Sequence, residues 1–110
     1  MVEVIIDRQL DGTIKGFQMS GHANSGPHGH DLVCAAASAV SFGTVNAIIS
    51  ICECEPIIEQ SENGGYLKVY LSDDLLEDNL TKAQTLLEGM VVSLKTIEKD
   101  YGQYIHITKP

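Results

Sequence analysis

From Leu32 to about Ile51 the chain is apolar nearly all round, with Leu32, Val33, Ala35, Ala36, Ala37, Ala39, Val40, Ala47, Ile48 and Ile51. A narrow polar line of Ser38, Ser41 and Thr44 runs along it. A helix of this kind must be covered on most sides, so it is expected to be the central, buried helix of the fold. Asp31 stands where an N-cap belongs. The many alanines let neighbouring backbone come close.

The flanking segments supply what would cover it. Val2 to Arg8 alternates, with Val2, Val4 and Ile6 against Glu3, Ile5 and Asp7, which is a strand pattern. Asp11-Gly12 signals a hairpin, and Thr13 to Ser20 reads as the partner strand. Its apolar phase slips between Ile14 and Phe17, and Gly16 at the slip marks an expected bulge. Gly21 to His30 holds three glycines and Pro27 and reads as a loop.

After the helix, Glu55–Gln60 and Tyr66–Leu71 flank Asn63-Gly64-Gly65 as a second hairpin, with Leu67, Val69 and Leu71 on one face. Asp73 or Asp74 is the expected cap of a second helix ending near Asp100. Its stripe of Leu76, Leu80, Ala83, Leu87, Met90, Leu94, Ile97 and Tyr101 steps alternately by four and three residues. Gly102 is the C-cap candidate. Tyr104 to Thr108 closes the chain's pattern with a short strand. The expected fold is therefore a single α+β domain over residues 1–110, two-layered, with a mostly antiparallel sheet and two helices in the order ββαββαβ.

The formal net charge is −8, from 15 acidic and 7 basic side chains. Such a surface repels phosphate backbones, so direct nucleic-acid binding is not expected. It attracts a basic partner instead. The sequence shows no evident membrane-crossing run and no signal peptide, so the expected location is cytoplasmic with no membrane partner. Three cysteines, Cys34, Cys52 and Cys54, are an odd number and argue against a disulfide framework.

Cys34 is the residue with chemical promise. With Asp31 as N-cap, its sulfur falls in the first helical turn, where unpaired N–H groups and the helix dipole favour negative charge. A free thiol titrates near about 8.5, and such a position lowers that value. Ser38, four residues on, shares its side of the helix, as does Asp31. A nucleophilic cysteine needs a base, and His22 lies where the second strand ends and the glycine loop begins. Asp31 either orients that imidazole or only caps the helix. N–H groups at the helix start, that of Cys34 among them, are candidates for binding an oxyanion.

Two plainer readings stand beside this one. Cys34 can be packing filler in a non-catalytic interaction protein. His22, His28, His30 and Cys34 can in principle hold zinc, but their spacing matches no zinc motif, so neither metal nor cofactor is expected. Cys52 and Cys54 sit at the far end of the helix, roughly 27 Å away at about 1.5 Å per residue, and read as structural. The second helix's stripe is either wholly core or partly a dimer seam.

Gly21-His22-Ala23, the glycine loop, and Asp31-Leu32-Val33-Cys34-Ala35-Ala36-Ala37-Ser38-Ala39 closely resemble the signature of the ribosomal-processing cysteine protease family, Prp. Length and element order fit that family over the whole chain. The resemblance implies a homodimeric cysteine endopeptidase. Its partner would be the N-terminal peptide of a ribosomal protein precursor, large-subunit protein twenty-seven, whose short extension it removes. It also implies His22 and Cys34 as the catalytic pair and Asp31 and Ser38 as further signature positions. The glycine loop, with Gly21, Gly26 and Gly29, would reorder around substrate.

Overall fold

The computed structural model describes residues 1–22, 31–62 and 64–108. The elements follow the expected order: β1 (Val2–Arg8), β2 (Ile14–Ser20), α1 (Leu32–Ile51), β3 (Ile57–Gln60), β4 (Tyr66–Tyr70), α2 (Glu77–Tyr101) and β5 (Ile105–Thr108). The strands form one sheet in the order β3-β4-β2-β1-β5. Three of its four pairings are antiparallel, and only β1 with β5 is parallel.

Alternation decides which face of the sheet is covered. Ile6 pairs Phe17, Phe17 pairs Val69, and Met19 pairs Leu67. Val2 and Val4 pair Ile105 and Ile107. These positions form one apolar face, and all but Met19 are buried. Each fully buried large side chain contributes roughly 1.5–3 kcal/mol. The slip in β2 is a bulge: Asp7 pairs Gly16 and Arg8 pairs Ile14, so Lys15 is the extra residue. That single insertion lets Ile14 and Phe17 both point inward. Gln84 of α2 clasps the site from above, accepting from Ile14 N and donating to Ile14 O, each at 2.7 Å.

The two helices pack on each other, and α2 reaches β5 and β2. Glu98 of α2 accepts the Ile107 N–H of β5 at 2.8 Å. The core stripe of α2 is Ala83, Leu87, Met90, Val91 and Leu94. Its outer members Leu76, Leu80 and Tyr101 are exposed.

Three expectations need correction. α1 is not covered on most sides: Val33, Ala37, Ser41, Val45 and Ile48 are buried, while Leu32 is 69% exposed and Phe42, Ile49 and Ile51 also face out. Its buried face packs on α2, and among the described residues no further layer lies over the opposite face. By length and composition α1 is also long and apolar enough to cross a membrane, contrary to the sequence reading, although here it packs on α2. Finally, α2 begins at Glu77 with Leu76 as its N-cap and no side-chain cap bond. Asp73 and Asp74 are engaged elsewhere, Asp73 with Lys15 and Asp74 with Ser72.

Candidate functional site

β2 ends at Ser20, and Gly21 follows with φ +89. The left-handed turn is open to glycine at no steric cost. It also brings the backbone against Met1, where a Cβ would collide with the Met1 carbonyl. Gly21 N–H donates to the Gly65 carbonyl at 2.9 Å, and the Met1 nitrogen donates to the His22 carbonyl at 2.6 Å. His22 is thus held by its backbone from two sides while its ring remains exposed.

α1 begins as its sequence dictates. Asp31 has an extended backbone, and its carboxylate accepts the Cys34 N–H at 3.0 Å. The Asp31 carbonyl accepts Ala35 N–H at 3.0 Å. Cys34 is therefore in the first turn and half-buried, at the edge of the core. The same bond corrects one expectation: the Cys34 N–H, a candidate oxyanion donor, is taken by its cap.

His22 and Cys34 line one cavity of about 280 Å³. Ser38, one turn further along α1, and Gly21 line it too. The sequence reading brought these four residues together, and the structure does the same. Asp31 is at the helix start as the cap. Ser41 departs from the expected polar line: it is fully buried, and its hydroxyl has no hydrogen-bond partner among the described residues. Gly26, Gly29, His28 and His30 lie outside the described residues.

The rest of the lining was not foreseen. Phe42 of α1 and Gln60, Ser61 and Tyr66 of the second hairpin line the same cavity. Gly65 carries the His22 ring: a Cβ there would lie 3.0 Å from Nε2, and φ is +82. A sequence signal for it existed. Two glycines in a row after Asn63 are one more than a two-residue turn needs, and a surplus glycine marks close approach.

The arrangement can carry nucleophilic chemistry. It sets a thiol on a helix N-terminus, where negative charge is favoured, in one cavity with an imidazole. Cys52 and Cys54 take no part: Cys52 is buried at the far end of α1, and burial, then Cys52 and Asp74, push the Cys54 thiol up.

Comparisons with known proteins identify the family. The family model described as cysteine protease Prp matches residues 1–106. The ribosomal processing cysteine protease Prp of Bacillus subtilis (strain 168) is 45% identical over 108 residues, 98% of this chain and 96% of its own. Two crystal structures of an essential ribosomal processing protease Prp from S. aureus superpose with TM-scores of 0.88 and 0.83 at 42% and 40% identity. Each match covers 98% of both chains. The first contains a covalently linked product peptide and the second a substrate peptide.

Proposed function

Because the chain belongs to the cysteine protease Prp family, we propose that it is a cysteine endopeptidase. Its substrate is the N-terminal extension of the precursor of large-subunit ribosomal protein twenty-seven. The observation that carries the reading is the shared cavity of His22 and Cys34.

In this reading His22 accepts the Cys34 proton, and the thiolate attacks the scissile carbonyl. The carbonyl becomes a tetrahedral oxyanion. The Cys34 N–H serves that oxyanion only if Asp31 releases it. The imidazolium then protonates the leaving amine as the C–N bond breaks. Water hydrolyses the thioester and regenerates the thiol. No cofactor enters any step. Ser38 and Gly21 border the substrate, and Asp31 supports the pair by fixing the helix start.

The acidic surface suits a basic ribosomal protein and disfavours direct contact with RNA. Ribosomal precursors are made in the cytoplasm, and the enzyme belongs there with them. A homodimer is part of the same proposal. Its support is the outer face of α1, where Leu32, Phe42, Ile49 and Ile51 are exposed on a helix without a charged residue.

The test is mass spectrometry of a synthetic peptide spanning that extension, incubated with the wild type and with Cys34→Ala. The expected result is one cut by the wild type alone. Cleavage by Cys34→Ala at the wild-type rate would remove Cys34 as nucleophile. No cut by either folded protein would leave Cys34 as packing in a non-catalytic interaction protein.

A further inference from the structure

We propose that the open edge of β3 takes the peptide substrate as an added strand and feeds it to Cys34. This rests on the protease reading above. β3 is the outermost strand of the sheet, and all four of its residues are exposed. Exposed strand edges are usually blunted or covered, because their free N–H and C=O groups recruit another chain. Here Ile57 is 57% exposed, and among the described residues no further strand pairs with β3 on its outer side.

The hydrogen-bond phase identifies which groups are on offer. Ser61 N–H donates to the Tyr66 carbonyl at 3.3 Å, and the register continues with Gln60 opposite Leu67 and Glu59 opposite Lys68. Antiparallel pairs alternate between bonded and non-bonded. Ser61, Glu59 and Ile57 therefore turn their backbone groups to β4. Ile58 and Gln60 turn theirs outward. Two residues spaced in this way can exchange up to four hydrogen bonds with an incoming strand.

The edge also leads to the right place. Gln60 and Ser61, at the end of β3, line the cavity that holds His22 and Cys34. Ile58 and Gln60 lie opposite Val69 and Leu67, both buried, so their side chains share the helix-covered side of the sheet. A peptide paired along β3 presents every second side chain to that side. One of these fits the cavity of about 280 Å³ beside the thiol. Strand addition of this kind draws affinity from main-chain bonds and specificity from pockets for alternate side chains. The occupant is an extended peptide without acidic groups, since Glu55, Glu59 and Glu62 flank the edge.

The experiment is a cleavage assay on synthetic peptides N-methylated at one backbone amide at a time, outside the two residues flanking the scissile bond. Pairing predicts alternation: methylation at two positions two residues apart raises KM at least tenfold, and the position between them has little effect. Ile58→Pro removes one outward N–H and leaves the β4 ladder intact, as edge strands allow. It should raise KM about tenfold with kcat, melting temperature and the rate of Cys34 alkylation unchanged. Cleavage with no alternation in the methyl scan overturns edge pairing and leaves the protease reading standing. No cleavage of the unmodified peptide by the wild type overturns both.

Discussion

The His22 imidazole rests on Gly65, so closely that one added carbon there would lie 3.0 Å from Nε2. The two residues come from different hairpins, and the Gly21 N–H bond to the Gly65 carbonyl ties those hairpins together beneath the ring. The turn between β3 and β4 is thus the seat that sets the angle of the proposed base.

Gly65→Ala should reduce kcat/KM for peptide cleavage at least tenfold. Part of any effect is backbone strain, because an L-residue at φ +82 costs about 1–2 kcal/mol. Gly12→Ala controls for this: φ there is +90 and nothing lies within 4 Å of the added carbon. Both variants should lose similar stability in thermal melts, and only Gly65→Ala should lose activity. Equal activities would make the contact mere packing.

Asp31 separates cap from charge. Asp31→Ala should destabilise the fold by ~1 kcal/mol, since the Cys34 N–H loses its acceptor. Asp31→Asn keeps a capping oxygen and should melt near the wild type. If Asp31→Asn also cleaves normally, the carboxylate's charge has no part in the chemistry. A loss of kcat with stability retained would assign it one.

The three thiols should separate by reactivity. Cys34 borders the open cavity, Cys52 is fully buried, and burial holds the Cys54 thiol up. Iodoacetamide at pH 6 should modify Cys34 first, as read by peptide mapping, and Cys34→Ala should abolish the fast phase. Modification of Cys54 at the same rate would contradict the helix-start activation of Cys34.

Much of this was legible in the chain, and what was not failed for two different reasons. Period-two alternation marked β1 and the period of 3.6 marked α2, because each reports a local face, while α1 was read from its all-round apolarity and cap and β3 from the turn beside it. The His22–Cys34 encounter was legible because one short loop joins them. Gly65 left only its surplus glycine as a trace, because its contact with His22 spans more than forty residues and has no period. Ser41 was misjudged for the opposite reason: it lies three residues from Ser38, and the helix turns it into the core, where no polar pattern predicts a hydroxyl.

Ser41 carries its own prediction. Among the described residues its buried hydroxyl has no partner, and such a group loses its hydration without a compensating bond. Ser41→Ala should therefore raise stability by about 1 kcal/mol, with activity unchanged, measured by urea denaturation. A loss of stability would reveal a bond to the hydroxyl.

Arg8 and Glu88 give the pH dependence. Arg8 makes two 2.7 Å bonds to the Glu88 carboxylate, joining β1 to α2. The guanidinium holds the Glu88 carboxyl below its ordinary value. A lowered folded value means the contribution is present above the unfolded value of about 4.3 and is lost as pH falls through the folded one. Solvent screening limits the pair to about 0.5–1 kcal/mol. Glu88→Gln should melt lower than the wild type at pH 7, and the gap should narrow as the pH falls below about 4.3. A gap independent of pH would deny the ion pair its role.

The parallel pairing of Val2 with Ile105 joins the first strand to the last. A ribosome delivers β2, the start of α1 and the β3–β4 turn long before it delivers β5. Every described residue of the cavity therefore emerges while one side of β1 still lacks its neighbour. Contacts this distant in sequence form late, after their loop entropy has been overcome. The nascent chain would carry the parts of its site before it had the frame to align them, and β5 would complete that frame.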